Sequence, residues 1–534
     1  MSRSPPLSRR EFVYGAAAGV AATYLGGCAA PGTRGPAPAP DGFSPADLNA
    51  PELSAAELAE LALRRARRAG AEYADVRVID TTRQNIAGRD GRIARMNDAR
   101  DRGLGVRVLY KSGWGFAASP IRSGAEATRL ADLAIEIAKA SATLATERIR
   151  LADEPVHKDN VRTPFETDPL AVAQERKTGL LLAAMETMQS QPGIRRSRAS
   201  FWTQRDQKLF ASSEGSRIAF DLLASHASIG ATAVAEGRFA SRSCETPYLR
   251  AGFELIEQAN LGAEAARVAA EALEQAKAPA VAPGVYDLVL DPQHLSLTIH
   301  ESCGHPSELD RALGYEANYA GTSHLTPDML NKHRYGSPHV NLVADNTEPG
   351  SLASTGYDDD GVAGQRWDIV RAGLFVGYST SREVAPRIGL KRSTGSCRAD
   401  GWASVPIVRI ANIGLEPGAG SPEELIADVR RGLYIDGTGS FSIDQRRYNF
   451  QFGGDAFWLI ENGRRTRMLR DVIYHGITPE FWGRCDAVAG AAHRRRYGFI
   501  NCGKGQPGQS GWMTHAAAHA RFRGVDVIAG ESAT

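Results

Sequence analysis

The sequence predicts an α+β protein in two parts: a smaller α/β N-terminal domain with an antiparallel meander, over residues 53–280, and a larger β-rich C-terminal domain over residues 281–534. Three observations predict it. At 534 residues the chain has room for several domain-sized units or two large ones. Up to about residue 280, helix-period stretches alternate with short runs of strand-like alternation. After Pro279 and Pro283 the helical period fades, and short β-like runs with Gly-rich turns take over.

Composition narrows the function classes. Hydrophobic residues make up 43% and charged residues 23%, ordinary globular usage that excludes wholesale disorder. The 63 basic and 61 acidic side chains leave a formal charge of +2, which gives no electrostatic footprint for nucleic acid. No apolar run reaches the roughly 18 residues needed to span a bilayer.

Residues 1–28 read as an address. Ser8-Arg9-Arg10-Glu11-Phe12 precedes a short apolar stretch from Phe12 to Leu25, an order that resembles a twin-arginine export signal. Leu25-Gly26-Gly27-Cys28 resembles a lipobox, with cleavage before Cys28 and lipid on its sulfur. Two acyl chains there would anchor the protein stably. The expected location is the periplasm or cell envelope of a bacterium, at the membrane. Residues 29–52 carry Pro31, Pro36, Pro38, Pro40, Pro45 and Pro51 with few large apolar residues, and read as a semi-extended linker. With Cys28 set aside, Cys244, Cys303, Cys397, Cys485 and Cys502 remain. An odd number excludes a complete disulfide framework, so at least one sulfur has another task.

Within the N-terminal domain, Ser54 to Ala69 reads as an amphipathic helix, with Leu58, Leu61 and Leu63 on one side and Arg64, Arg65, Arg67 and Arg68 opposite. Asp75–Ile79 and Gly105–Tyr110 read as strands, with Gly88, Gly91 and Gly103 at the turns between them. A second helix is expected near Ala125–Ser141 and a third over Gln174–Gln189. Alternating segments follow at Ile194–Thr203, Lys208–Ala211, Arg217–Ala224 and Ile229–Glu236, then a helix near Leu261–Gln275.

The chemistry is concentrated after Tyr286-Asp287-Leu288-Val289-Leu290, a strand feeding a helix from Pro292 to about Cys303. That helix carries His300-Glu301-Ser302-Cys303-Gly304-His305. Two histidines five residues apart lie about 140° apart on a regular helix, too far around to share an ion. They converge only if the helix takes a π-bulge or ends between them. Gly304 permits such a distortion, and Pro306 stops the helix directly after it. A buried, hydrogen-bonded His–Glu couple is the plainer reading of the same residues. Cys303 competes as a ligand, but three donors from one tight turn are awkward, which favours a distant third ligand. Near the C-terminus, Asn501-Cys502-Gly503-Lys504 places a cysteine before a Gly-rich turn.

Several separated motifs resemble the TldD/PmbA family of metallopeptidases, specifically its catalytic TldD-like members. They are the His300-to-Asp310 segment, Tyr357-Asp358-Asp359-Asp360-Gly361, Arg371 to Tyr378, Ser421 to Ile426, Arg431 to Ile435, Leu459 to Gly463 and the Asn501–Lys504 turn. The resemblance implies that the C-terminal domain is a metallopeptidase domain holding Zn2+ through His300, His305 and Cys502, with Glu301 as general base. Three protein ligands leave a fourth position for water, the arrangement of a catalytic zinc site. Glu308 and Asp310 are candidate acceptors from the imidazole N–H groups, or solvated carboxylates after the helix. Asp358–Asp360 lacks the alternating oxygen pattern of a calcium loop and reads as a turn near the cleft. His515 and His519, four residues apart, form a minor candidate for a second metal site.

The family likeness further implies a hollow dimer, a homodimer or a heterodimer with a related member lacking the metal motif, that admits unfolded or short peptides. The alternatives are a non-catalytic lipid-tethered binding or assembly subunit, and a protease that tailors peptide precursors. Twin-arginine export, which is associated with cargo that folds first, suits a protein that loads its metal inside the cell.

Overall fold

The computed structural model describes residues 53–530. The export signal, Cys28 and the Pro-rich linker lie outside the described residues. About 24% of the chain is helix and 40% strand, an α+β protein rich in β structure.

The first helix, α1 (Ala55–Arg68), starts at Ser54. The Ser54 hydroxyl accepts the Glu57 N–H while the Glu57 carboxylate accepts the Ser54 N–H, so two orphan donors of the first turn are satisfied reciprocally. Strands β1 (Tyr73–Arg89) and β2 (Arg92–Tyr110) form one long hairpin, followed by β3 (Gly113–Ser119) and α2 (Gly124–Ala142). The glycines divide differently from the expectation. Gly91 lies in the turn, where Asp90 and Gly91 take φ of 52° and 76°, the left-handed pair that tight hairpins favour. Gly88 and Gly103 lie within strands. At Gly103 a Cβ would sit 2.4 Å from the Trp402 ring, so close packing, not a turn, excludes a side chain there.

After β4 (Lys158–Arg162) and α3 (Gln174–Gln189), the four expected segments between Ile194 and Glu236 prove to be two long strands, β5 (Ile194–Ser212) and β6 (Arg217–Ala235), with β7 (Arg238–Glu245) beyond. Charged residues interrupt the alternation without leaving the sheet, because they pair across it. Arg205 Nε, for example, donates to Asp221 Oδ1 at 2.6 Å. The sheet runs β3-β2-β1-β5-β6-β4 with β7 also on β6, antiparallel except for the β4–β6 pair. One core joins α1 and α2 to β1 and β2; a second joins α3 and α4 (Leu261–Lys277) to β5 and β6. Burial of these apolar faces, at about 25 cal/mol per Å², is the main driving force for both layers.

The next strand, β8 (Gly284–Leu290), lies inside a nine-stranded sheet, between β9 (Arg431–Asp436), parallel to it, and the antiparallel Ala520–Ala529. A separate six-stranded sheet contains Leu342–Asp345, Ile413–Leu415, β10 (Arg495–Lys504) and β11 (Gln509–Ala517). Helix α5 (Pro292–Ile299) leaves the end of β8 and packs against β10 and β11. The polypeptide thus carries a helix from one sheet onto the other, and the candidate site forms at the end of that helix.

Candidate metal centre

Asp291 starts α5. Its carboxylate accepts the N–H groups of Gln293 and His294, and Pro292 at the first position spends no donor. Gly437 N–H also donates to Asp291, which ties the helix start to the end of β9. His294 locks the helix axially: Nδ1 lies 2.8 Å from the Gly437 carbonyl and Nε2 2.8 Å from Tyr474 Oη.

Regular α-helix ends at Ile299, and His300–Gly304 forms a π-turn, followed by a 3-10 turn over His305–Ser307. The His305 N–H donates to the His300 carbonyl, five residues back. The wider turn brings residues i and i+5 onto one face, so the two imidazoles lie with ring centroids 5.1 Å apart. Gly304 takes φ −58° and ψ −65°, ordinary helical values. Its side chain is excluded by contact: a Cβ would sit 2.9 Å from Ile410. Tyr335 Oη donates to the Ser302 carbonyl at 2.8 Å and Trp482 Nε1 donates to Ser302 Oγ at 2.9 Å, so the widened turn is braced on its outer side.

Cys502, on β10, meets these imidazoles. Its Sγ lies 3.5 Å from His305 Nε2, and donor atoms of His300, His305 and Cys502 all fall within 4.8 Å of one another, all three residues buried. Zinc–sulfur and zinc–nitrogen bonds of about 2.3 and 2.05 Å in a tetrahedron place the two donors about 3.5 Å apart, the separation found. The donor set and its spacing fit a zinc ion. Among the described residues this is the one such cluster. Burial drives both imidazoles well below the usual histidine pKa, with Arg447 and Arg409 adding to the effect. They are therefore neutral, the form that offers a lone pair to a metal. Cys303 is sealed in the core, and burial pushes its thiol upward.

Each imidazole is held from behind. His305 Nδ1 lies 2.9 Å from Glu308 Oε2. Lys504 Nζ approaches Glu308 Oε1 at 3.0 Å and Asp310 Oδ1 at 2.6 Å, all three side chains almost fully buried. Of the two expected acceptors, Glu308 reaches an imidazole. Asp310 instead holds Lys504, because the chain turns into a short helix at Leu309 and directs the Asp310 carboxylate toward β10. Burial alone would lower the Lys504 pKa, but Asp310 and Glu308 hold it above its usual value.

His300 Nδ1 is 2.9 Å from His515 Nε2, and the other nitrogen of His515 faces the backbone of Ile413. His519 faces Tyr434 Oη at 3.1 Å. The i, i+4 spacing of His515 and His519 does not make a second metal site, because His515 lies in β11 and His519 in the connection after it, not on one helix face. His515 instead holds the His300 imidazole. Outer-shell partners of this kind are worth about 10–100-fold in metal affinity. His515→Leu is accordingly expected to weaken zinc binding by about that factor with the fold retained. Competition against a chromophoric chelator measures it, and unchanged affinity would remove His515 from the site.

Glu301 is buried beside the donors, and Arg447 Nη1 donates to its Oε2 at 2.7 Å. Burial raises the Glu301 pKa against the pull of Arg447 and Arg311. Arg447 sits at φ 62° in the turn between Phe441–Ile443 and Asn449–Gly453, where Asp444 accepts three backbone N–H groups and fixes the loop. Nothing in the sequence marks Arg447, since it comes from a hairpin about 146 residues away. Asp358, Asp359 and Asp360 are buried, and the last two tie this turn to the N-terminal sheet. Asp360 Oδ1 pairs with Arg107 of β2 at 2.7 Å and Asp359 with Lys208 of β5 at 2.7 Å.

Residues 283–518 match the family model of the PmbA/TldA metallopeptidase C-terminal domain, and residues 74–138 match that of PmbA/TldA metallopeptidase domain 1. The class that these models define is that of metallopeptidases. A protein named a metalloprotease from Methanocaldococcus jannaschii is 32% identical over 419 residues, 78% of this chain and 89% of that relative. A protein named a zinc metalloprotease TldD homolog, from Saccharolobus solfataricus, is 23% identical over 78% of this chain and 88% of its own length. The crystal structure of TldE from Thermococcus kodakarensis shares the fold, with a TM-score of 0.68 and 15% identity over 88% of this chain and 99% of that one. The chain belongs to the PmbA/TldD family of metallopeptidases.

Proposed function

We infer that the protein is a zinc-dependent peptidase that hydrolyses unfolded or short peptides, with Glu301 as general base. The observation that carries this reading is the buried convergence of His300, His305 and Cys502 with Glu301 alongside. Zinc held by those three residues would acidify a water molecule and polarise the scissile carbonyl. The chain's own part is proton handling and alignment. Arg447 occupies Glu301 Oε2, which leaves Oε1 to take the proton shed by the attacking water and return it to the departing amine. Glu308 and His515 fix the imidazole planes, so that the ligands need no rearrangement during turnover.

An extended substrate would pair with a strand edge near the cleft, which a compact domain cannot do. Enclosure in a dimer, with a second copy or with a related subunit lacking the metal motif, would reinforce that selection by access. A reduced, unfolded reporter protein should therefore be cleaved and its folded form spared. Chelation should stop cleavage and added zinc restore it. Equal cutting of folded and unfolded reporter would overturn the substrate reading, and full activity after exhaustive chelation would overturn the metal.

The N-terminal motifs support export and lipid anchoring at Cys28 in the cell envelope. Mass spectrometry of the mature N-terminus is expected to show a diacylglyceryl group on Cys28; an unmodified cysteine, or a different start, would remove the anchor.

A further inference from the structure

Three arginines from three separate segments converge on one cavity of about 100 Å³ next to the metal centre: Arg250, Arg398 and Arg409. None has a carboxylate within ion-pair distance among the described residues. Each bonds only to neutral carbonyls. Arg250 Nε donates to the Leu352 carbonyl at 3.1 Å. Arg398 Nη2 donates to the carbonyls of Ile410 at 2.6 Å and Trp512 at 3.0 Å. Arg409 donates to the carbonyls of Gln509 and Cys502.

Each also keeps a buried donor with no partner: Arg250 Nη1, Arg398 Nη1 and Arg409 Nε. Arg250 is 8% exposed and Arg409 1%. Gly511 leaves room for this, since a Cβ there would lie 2.4 Å from Arg409 Nε.

Four carboxylates share the cavity, but each is already engaged. Asp400 accepts the Ser404 hydroxyl and the Ser510 N–H. Asp359 is bound to Lys208 and accepts the Ala399 N–H. Asp358 accepts the N–H groups of Asp360, Val362 and Cys397. Asp206 accepts from Thr81 and Gln204. The acids are therefore satisfied while the guanidinium groups are not. Burial pulls both Arg250 and Arg398 down to about 10, and the neighbouring Arg409 charge adds to the effect at Arg398. Buried charges are ordinarily paired, because leaving one uncompensated in a low-dielectric interior is costly. The indole of Trp512 lies beneath Arg250, with the guanidinium carbon 5.8 Å from the ring centroid, and completes a wall of fixed shape.

The geometry points to a binding site for a small oxyanion, a carboxylate or a phosphate, held by Arg250, Arg398 and Arg409. The planar fork of arginine matches either group bidentately. The anion is either free in solution or the terminal carboxylate of a peptide. The site stands on its own donors and does not depend on the peptidase reading.

Titration of the zinc-loaded full-length protein, followed by tryptophan fluorescence and thermal shift, tests the site. The probes are inorganic phosphate, an N-acetylated dipeptide with a free C-terminus, and the same dipeptide amidated, all at ionic strength matched with sodium chloride. Saturable binding of phosphate, of the free acid, or of both is expected, with no response to the amide. A response to phosphate marks a free anion as ligand, and a response confined to the free acid marks a peptide terminus. Arg250→Gln and Arg398→Gln are each expected to weaken binding at least about tenfold, the cost of losing a charged hydrogen bond. If a glutamine variant fails to fold by circular dichroism, Arg250→Lys and Arg398→Lys decide, since they keep the charge and lose the fork. No saturable response beyond the chloride control, or equal affinity in the variants, would overturn the site.

Discussion

Glu301→Gln is expected to abolish measurable peptide cleavage while the protein keeps close to one zinc per chain. Glutamine is nearly isosteric, and its side-chain oxygen still accepts the N–H that Arg447 presents to Glu301 Oε2. The local structure should therefore persist. What disappears is the ability to take a proton, which contributes about 10²–10⁴-fold in general-base catalysis. The thiolate ligand makes that loss more severe. Sulfur donates more charge than imidazole, so an ion bound by Cys502 acidifies water less and relies more on the neighbouring base. Paired measurements of metal content by mass spectrometry and of reporter-peptide turnover give the answer. Turnover within threefold or so of wild type, with zinc present, would take the base assignment away from Glu301.

Cys502→Ala should produce a different pattern, loss of zinc together with activity in a protein that still folds. The sulfur is one of three donors, and its removal leaves two imidazoles on one turn, which cannot close a tetrahedral site. The drop in affinity should exceed the roughly 10–100-fold that outer-shell changes cost. Cys303→Ala is the matching control. That thiol lies in the core, so its removal should leave zinc stoichiometry unchanged. Retention of zinc at the wild-type level in Cys502→Ala would assign the third ligand elsewhere and dissolve the site described above. The metal-free state also bears on folding, because burial pushes the Cys502 thiol up to about 12. A thiol in that surrounding ionises only when a cation replaces its proton, so zinc binding at neutral pH should release a proton.

The π-turn shows how far local reasoning reaches. Five-residue spacing, a glycine and a following proline together demand a widened turn, and the His305-to-His300 hydrogen bond is that turn. The reason for Gly304 was not local, however. Its backbone is helical, and only Ile410, about a hundred residues later, explains why no side chain fits. The same division runs through the N-terminal sheet. Asp90-Gly91 announces its hairpin through backbone preference, whereas Gly103 imitates a turn and is instead pressed by Trp402.

By itself the sequence determined the α+β class, the main N-terminal helices, the distorted helix end and, through its separated motifs, the family. These follow from preferences within a few residues, which are written directly into the chain. Only the tertiary structure decided that His515 supports His300, that Arg447 grips Glu301, that Asp310 serves Lys504, and that three arginines line one cavity with no acid in ion-pair reach. Each of those pairings joins segments that are distant in sequence, or a side chain whose direction the packed backbone sets. No periodicity encodes such a pairing; the partner is selected when the two sheets close around α5 and buried polar groups must find whatever complement lies within reach.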